Sequence, residues 1–151
     1  MLTALRSRTV KYSGTYNPKG PGYFSLYGWT RNPLIEYYII EGWDVLAPGE
    51  PWTLRGNYTA DGGNYAFYTA QRVNKPSIEG TRTFTQYFGV RAEAEKKIGS
   101  VSGTINTATH FDFWSSKGYR LGNFEQNMFM VTEAFANGTT LPSGTSTITV
   151  S

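Results

Sequence analysis

The chain has 151 residues, which is enough for one domain with a hydrophobic core, and it is rich in Tyr (11), Phe (9), Trp (4) and Gly (17). Its net charge of +3 comes from 14 basic and 11 acidic residues spread along the chain, which argues against the clustered basic surface of a nucleic-acid-binding protein. It has no Cys and a single His, His110, so disulfides, thiolate ligands and multi-histidine metal sites are excluded.

The first half of the chain predicts strands separated by turns. The turn signal "NPKGPG" (residues 17–22) separates a strand that includes Thr9, Val10 and Tyr12 from the strand-like runs "YFSLYGW" and "PLIEYYIIEGW". Alternating polar and aromatic residues then flank "DGG" (residues 61–63), which predicts a tight hairpin turn. A further strand, "RTFTQYFGVR" (residues 82–91), alternates regularly between two faces.

The second half contains the one predicted helix. In "NTATHFDFWSSKGY" (residues 106–119) apolar residues recur at spacings of three as far as Phe111 and Trp114, with Thr107 or Thr109 as the N-cap and Gly118 at the end. The runs "NMFMVTEAFA" and "TSTITVS" predict further strands. About eight strands, one short helix and no repeat or linker predict a single all-β domain over residues 1–151, a sandwich or a jelly roll.

Two glutamates fall inside strand-like runs, Glu36 in "PLIEYYI" and Glu133 in "MVTEAFA". A strand glutamate taken alone is most often a residue that faces solvent, and most of the other acidic residues, Glu41 among them, fall near turns or in charged runs. Two carboxylates flanked by aromatic residues favour a second interpretation, because the cleavage of glycosidic bonds needs a pair of carboxyl groups in a groove that binds sugars.

Several motifs carry a resemblance to a known family. Five motifs resemble those of the family 11 endo-1,4-β-xylanases and occur in the same order along the chain. They are "YGWTRNPLIEYYI", "QRVNKPSIEGT", "TFTQYF", "INTATHFDFWSSKGYRLG" and "VTEAF". The resemblance runs from about Arg8 to the C-terminus. It implies an all-β jelly roll of two twisted antiparallel sheets with one short α-helix, and a deep cleft that holds a xylan chain.

The resemblance also implies roles for individual residues. Glu36 matches the nucleophile and Glu133 the acid/base. The implied substrate-binding residues are Tyr27, Tyr38, Gln86, and Arg72 and Pro76 of a hairpin that closes over the substrate. Tyr23 and Trp29 are placed either in the cleft or in the core, and Arg72 either faces the substrate or pairs with Glu79.

A retaining reaction follows from these assignments. Glu36 would attack the sugar while Glu133 protonates the leaving oxygen, and Glu133 would then activate water. The two carboxyl groups are expected roughly 5–5.5 Å apart. The charge of Glu36 is expected to raise the pKa of Glu133 until Glu36 becomes glycosylated.

The match departs from the family at three places. Members of the family carry several strands before the segment that begins at Arg8, so the chain is expected to be shortened at its N-terminus, with an exposed sheet edge. Ala134 stands where Gly is usual, and Asn127 stands where a cleft tyrosine is usual, which affects binding at one end of the cleft.

The expected function is therefore hydrolysis of internal bonds of xylan by a secreted enzyme that needs no metal and no other cofactor. The expected partner is xylan or a xylo-oligosaccharide, not nucleic acid or a membrane. The expected state is a monomer, and the alternative is association of chains through the open sheet edge. Two alternatives remain: a carbohydrate-binding jelly roll without catalysis, and an inactive shortened xylanase.

Overall fold

The computed structural model describes residues 6–46, 51–136 and 141–151. It contains the helix α1 (Thr107–Ser116) and a 3₁₀ turn at Glu93–Glu95. The strands in the described residues are β1 (Thr9–Lys19), β2 (Gly22–Arg31), β3 (Ile35–Gly42), β4 (Thr53–Ala60), β5 (Gly63–Ser77), β6 (Gly80–Arg91), β7 (Gly99–Asn106), β8 (Asn123–Phe124), β9 (Phe129–Ala134) and β10 (Ser143–Val150).

The strands form two sheets. A three-stranded sheet has the order β10-β1-β7, and a seven-stranded sheet has the order β4-β5-β6-β3-β2, with both β8 and β9 paired to the outer edge of β2. The predicted two-sheet, all-β class is confirmed. One pairing departs from the antiparallel pattern, since β3 and β6 run parallel. The hairpin β4–β5 lies between these two strands in the chain, so β6 returns to β3 by a crossover rather than by a tight turn.

Strand alternation divides the seven-stranded sheet into two faces. On β3, the buried residues Ile35, Tyr37 and Ile39 belong to the main core, together with side chains of β1, β7 and α1. The intervening residues Glu36 and Tyr38 therefore point to the opposite face, which we call the site face. This face carries a second buried cluster, which includes Tyr23, Tyr38, Ile40 and Phe88.

The hairpin turn and the helix lie where the sequence analysis predicted them. Asp61 and Gly62 both have positive φ angles, 52° and 74°, as a two-residue turn between β4 and β5 requires. Helix α1 buries Phe111 and Trp114 completely. The capping prediction was wrong: Asn106 is the N-cap and makes no side-chain capping bond, and the Thr107 hydroxyl contacts the backbone of Arg6 and Arg8 instead.

Glu41 is fully buried in the main core, so the interpretation of Glu41 as an ordinary turn carboxylate was wrong. It accepts hydrogen bonds from the hydroxyls of Tyr12, at 2.7 Å, and Tyr65, and from the Arg91 guanidinium at 3.2 Å. The alternation that buries Tyr37 and Ile39 also turns Glu41 inward. These partners satisfy a carboxylate that would otherwise be costly to bury.

His110 packs the helix against the β4–β5 hairpin. Its Nδ1 lies 2.7 Å from the Tyr58 hydroxyl and its Nε2 lies 2.9 Å from a carboxylate oxygen of Asp61. Burial opposes ionisation of Asp61, but hydrogen bonds from His110 and Asn106 outweigh it and hold the Asp61 pKa below its usual value. The structure thus gives His110 a packing and hydrogen-bonding role far from the site face.

Candidate active site

Strand β3 places Glu36 on the site face with both carboxylate oxygens hydrogen-bonded. The Tyr27 hydroxyl donates to Oε2 at 2.6 Å, and the Gln86 side-chain amide donates to Oε1 at 2.7 Å. Gln86 lies opposite Glu36 in the parallel pairing with β6, and Tyr27 comes from the neighbouring strand β2. These bonds explain how a carboxylate is stable within an aromatic strand.

The Tyr27 hydroxyl is itself fixed by Trp29. The indole Nε1 of Trp29 donates to the Tyr27 oxygen at 2.7 Å, which leaves the phenolic proton of Tyr27 directed at Glu36. Burial raises the Tyr27 pKa, and the hydrogen bond to Glu36 raises it further, so Tyr27 stays a donor at neutral pH. Trp29 therefore lies on the site face, beside Tyr27.

Glu133 lies on β9, directly opposite Tyr23 of β2. The pKa of Glu133 is raised, first by burial and then by the negative charge of Glu36, while a hydrogen bond with Tyr38 opposes the rise. The effect of Glu36 on the pKa of Glu133 has the direction that the sequence analysis expected. The two carboxyl groups thus occupy different environments on the same face.

Tyrosines connect the two carboxyl groups. Glu36 and Tyr38 are on β3, Glu133 is on β9, and β2 runs between these strands. The Tyr38 ring lies 5.5 Å from the Tyr23 ring and 4.9 Å from the Tyr27 ring, both on β2. The sheet must curl towards the site face for Tyr38 to reach a residue two strands away.

Aromatic rings extend the site face beyond the carboxyl groups. Phe88 stacks on Tyr38 with ring centroids 5.0 Å apart, and Trp52 stacks on Phe88 at 4.1 Å. Trp29 packs against Phe84 at 5.1 Å. The sequence analysis assigned no role to Phe84 or Phe88, although the alternation of "RTFTQYF" already puts both Phe residues on the face of Gln86.

The hairpin between β5 and β6 leads away from the carboxyl groups. Arg72 lies opposite Phe84, and its charge lowers the pKa of Tyr23 slightly, which opposes the larger effect of burial. Pro76 is further out and pairs with Thr81 near the tip. At the tip, Glu79 forms an ion pair of 3.0 Å with Arg31 of β2.

The sequence-selected residues therefore fall into two groups. Around the carboxyl groups the structure brings together Glu36, Glu133, Tyr23, Tyr27, Tyr38, Gln86 and Trp29. Arg72 and Pro76 lie on the adjoining hairpin. Sequence reasoning missed Arg31, which joins the hairpin tip to β2 and also binds Glu125. Its partners are 48 and 94 residues away, so no local pattern could have indicated it.

Helices in the described part of the chain are too short or too polar to cross a lipid bilayer.

Comparison with known proteins agrees with this architecture. The model of the glycosyl hydrolases family 11 matches residues 2–147. The chain is 45% identical over 145 residues to ethylene-inducing xylanase 1 of Verticillium dahliae, covering 96% of this chain and 60% of that protein. It is 42% identical to endo-1,4-beta-xylanase A of Schizophyllum commune, covering 95% of this chain and 71% of that protein.

A solved structure, from a comparison of two major endo-1,4-beta-xylanases of Trichoderma reesei, has the same fold. Its TM-score is 0.82 at 35% identity, and the match covers 96% of this chain and 75% of that one. The chain spans about 60% of the length of the Verticillium dahliae relative. With the family model matched over nearly its whole length, the chain belongs to glycosyl hydrolase family 11.

Proposed function

We propose that this chain cleaves internal β-1,4 bonds of xylan with retention of configuration. The observation that carries the proposal is the relation between Glu36 and Glu133. Both lie on one sheet face, and the charge of Glu36 raises the pKa of Glu133. One ionised carboxylate beside one carboxylic acid is the arrangement that glycoside hydrolysis requires. Relatives that bear the name xylanase support the substrate.

In the first step, Glu36 attacks the anomeric carbon and Glu133 gives its proton to the departing glycosidic oxygen. The hydrogen bonds from Tyr27 and Gln86 hold the Glu36 carboxylate in one orientation, so its position does not have to be organised when substrate binds. Retention of the proton on Glu133 is favoured by burial and by the neighbouring negative charge.

In the second step, Glu133 acts as a base. Once Glu36 is bonded to sugar it has no charge, so one of the two causes that raise the pKa of Glu133 disappears. Glu133 can then take a proton from water, which attacks the anomeric carbon and releases Glu36. The remaining hydrogen bond with Tyr38 stabilises the ionised form of Glu133.

The aromatic rings of the site face supply the surface for sugar binding. The rings of Trp29 and Trp52 are large, apolar and partly exposed, and the hydroxyls of Tyr23 and Tyr38 lie beside the carboxyl groups. Arg72 and Pro76 would contact the chain from the hairpin. The proposed substrate is a plant cell-wall polymer, so we infer that the enzyme acts outside the cell.

The release of reducing ends from xylan tests this function, with Glu36→Gln and Glu133→Gln as the active-site variants. Glu93→Gln, which changes an exposed glutamate on the 3₁₀ turn, is the matched control. We expect activity in the wild type and the control, a loss of about 10³-fold or more in Glu36→Gln, and β-configured product at early times by NMR. Binding to xylan without cleavage, in wild type and variants alike, would instead establish a carbohydrate-binding module.

A further inference from the structure

Two basic residues lie directly opposite each other on the hairpin that extends from the site. Lys75 of β5 pairs with Arg82 of β6 in the antiparallel register. On β6, Arg82, Phe84 and Gln86 are alternate residues and therefore project from the same face. Since Gln86 binds Glu36, the side chain of Arg82 belongs to the site face, and so does that of Lys75.

A β-bulge keeps the basic residues of β5 on this face. The register shifts by one residue between Arg72 and Lys75, and Asn74 has a φ angle of 52°. In a regular strand, residues three apart would point to opposite faces. The bulge instead leaves both Arg72, opposite Phe84, and Lys75, opposite Arg82, on the site face.

The pairing of Lys75 with Arg82 is unfavourable without a counter-charge. Like charges directly opposite each other destabilise an antiparallel pair. Within the described residues neither side chain forms an ion pair, and the guanidinium of Arg82 donates only to the carbonyl of Thr81, at 3.1 Å. The one acidic residue of the hairpin, Glu79, is already bound to Arg31. The hairpin thus presents positive charge towards the space in front of the site face.

We propose that Lys75 and Arg82 bind the carboxylate of a uronic-acid side group on a substituted xylan. This inference rests on the proposed function and adds the substrate class. The guanidinium offers a planar fork that matches a carboxylate, and the ammonium adds a mobile positive charge on the opposite strand. Arg82 lies four residues from Gln86, about 13 Å along β6, so the acidic group is held away from the bond that is cleaved.

The test compares two polymers that differ only in charge: a glucuronic-acid-substituted xylan, and the same preparation with its carboxyl groups reduced to alcohols. Affinity electrophoresis with each polymer in the gel measures binding, and initial rates give kcat/KM. We expect the wild type to prefer the acidic polymer about twofold to fivefold at low ionic strength, which is the range for exposed charge pairs, and to lose the preference at high salt.

The variant Lys75→Gln/Arg82→Gln should bring the ratio between the two polymers close to one. The readout is the ratio of kcat/KM for the acidic polymer to kcat/KM for the reduced polymer, so a general loss of activity in the variant does not change it. Lys11→Gln/Lys117→Gln removes the same charge from exposed residues on β1 and after α1, and should keep the wild-type preference. The inference is overturned if the wild type shows no preference, or if the double variant at positions 75 and 82 keeps it.

The failure of this inference is distinguishable from failure of the proposed function. Hydrolysis of unsubstituted xylo-oligosaccharide reports on the function alone. Charge-dependent retention in the gel needs no hydrolysis and reports on Lys75 and Arg82 alone.

Discussion

Tyr38 and Glu133 belong to strands that do not pair with each other, and a hydrogen-bonding interaction with Tyr38 nevertheless lowers the pKa of Glu133. Strand β2 lies between their two strands, and the curl of the seven-stranded sheet brings the two side chains near each other. The bond favours the ionised form of Glu133, in opposition to burial and to the charge of Glu36, which both favour the protonated form. Tyr38 therefore helps to set the pH at which Glu133 loses its proton.

Replacement of Tyr38 by Phe should move the alkaline limb of the kcat/KM profile to higher pH. The substitution removes an interaction that lowers the pKa of Glu133, so the acid form persists further into the alkaline range. The normalised pH profile on a xylo-oligosaccharide measures this shift. In the control Tyr87→Phe, which loses a hydroxyl on the core face bonded to the Arg120 carbonyl, the limb should not move. A downward shift in Tyr38→Phe would contradict the assigned role.

Replacement of Glu133 by Gln should stabilise the protein, and more so as the pH rises. The folded-state pKa of Glu133 is raised above its ordinary value of 4.5, so its contribution to stability is complete below that value and is lost as pH rises through the folded pKa. We expect a gain of about 0.5–2 kcal/mol at neutral pH, typical of stabilising substitutions. Urea unfolding at several pH values measures the gain, and a gain that shrinks with rising pH would refute this interpretation.

The buried network of Glu41 predicts a large loss of stability in Arg91→Met. Arg91 is 8% exposed and Glu41 is completely buried, so the substitution leaves a buried charge without its counter-ion. The expected loss is about 3–5 kcal/mol in the free energy of unfolding. Arg6→Met, which breaks an exposed ion pair with Asp112, should cost at most about 1 kcal/mol. Similar costs for the two variants would mean that the network does not stabilise the core.

The ion pair between Glu79 and Arg31 should restrain the tip of the hairpin. Both side chains are partly exposed, so Glu79→Gln is expected to change global stability by less than about 1 kcal/mol. Local opening should increase, and amide hydrogen exchange of residues 77–81 should accelerate by up to about fivefold. Glu93→Gln breaks an exposed pair with Lys96 and should leave the hairpin amides unaffected. Unchanged exchange in Glu79→Gln would exclude a restraining role.

Local patterns in the sequence were sufficient for much of this fold. The turn at Asp61 and Gly62 followed from turn chemistry, and the burial of Phe111 and Trp114 followed from helical spacing. The family resemblance assigned Glu36 and Tyr27 to one site, and in the structure the Tyr27 hydroxyl donates a hydrogen bond to Glu36.

Contacts between distant segments could not be predicted from local sequence patterns. The partners of Glu41 lie 24 to 50 residues away, and a carboxylate followed by Gly in "IIEGW" has no local sign of burial. The parallel pairing of β3 with β6 likewise depends on how the intervening hairpin packs, which strand alternation does not specify. Trp52 precedes β4 next to a Pro, and only the three-dimensional curl of the sheet brings it onto Phe88.

Trapping the covalent intermediate identifies the side chain that attacks the sugar. A 2-fluoro xylobioside with a good leaving group should slow the second step, and mass spectrometry of the trapped protein should show one 2-fluoroxylobiosyl group bonded to the peptide that contains Glu36. We expect label on Glu36 in the wild type and none in Glu36→Gln. Label on a different side chain, or turnover of xylan that proceeds through an inverted product without any label, would contradict the assignment of Glu36 as the nucleophile.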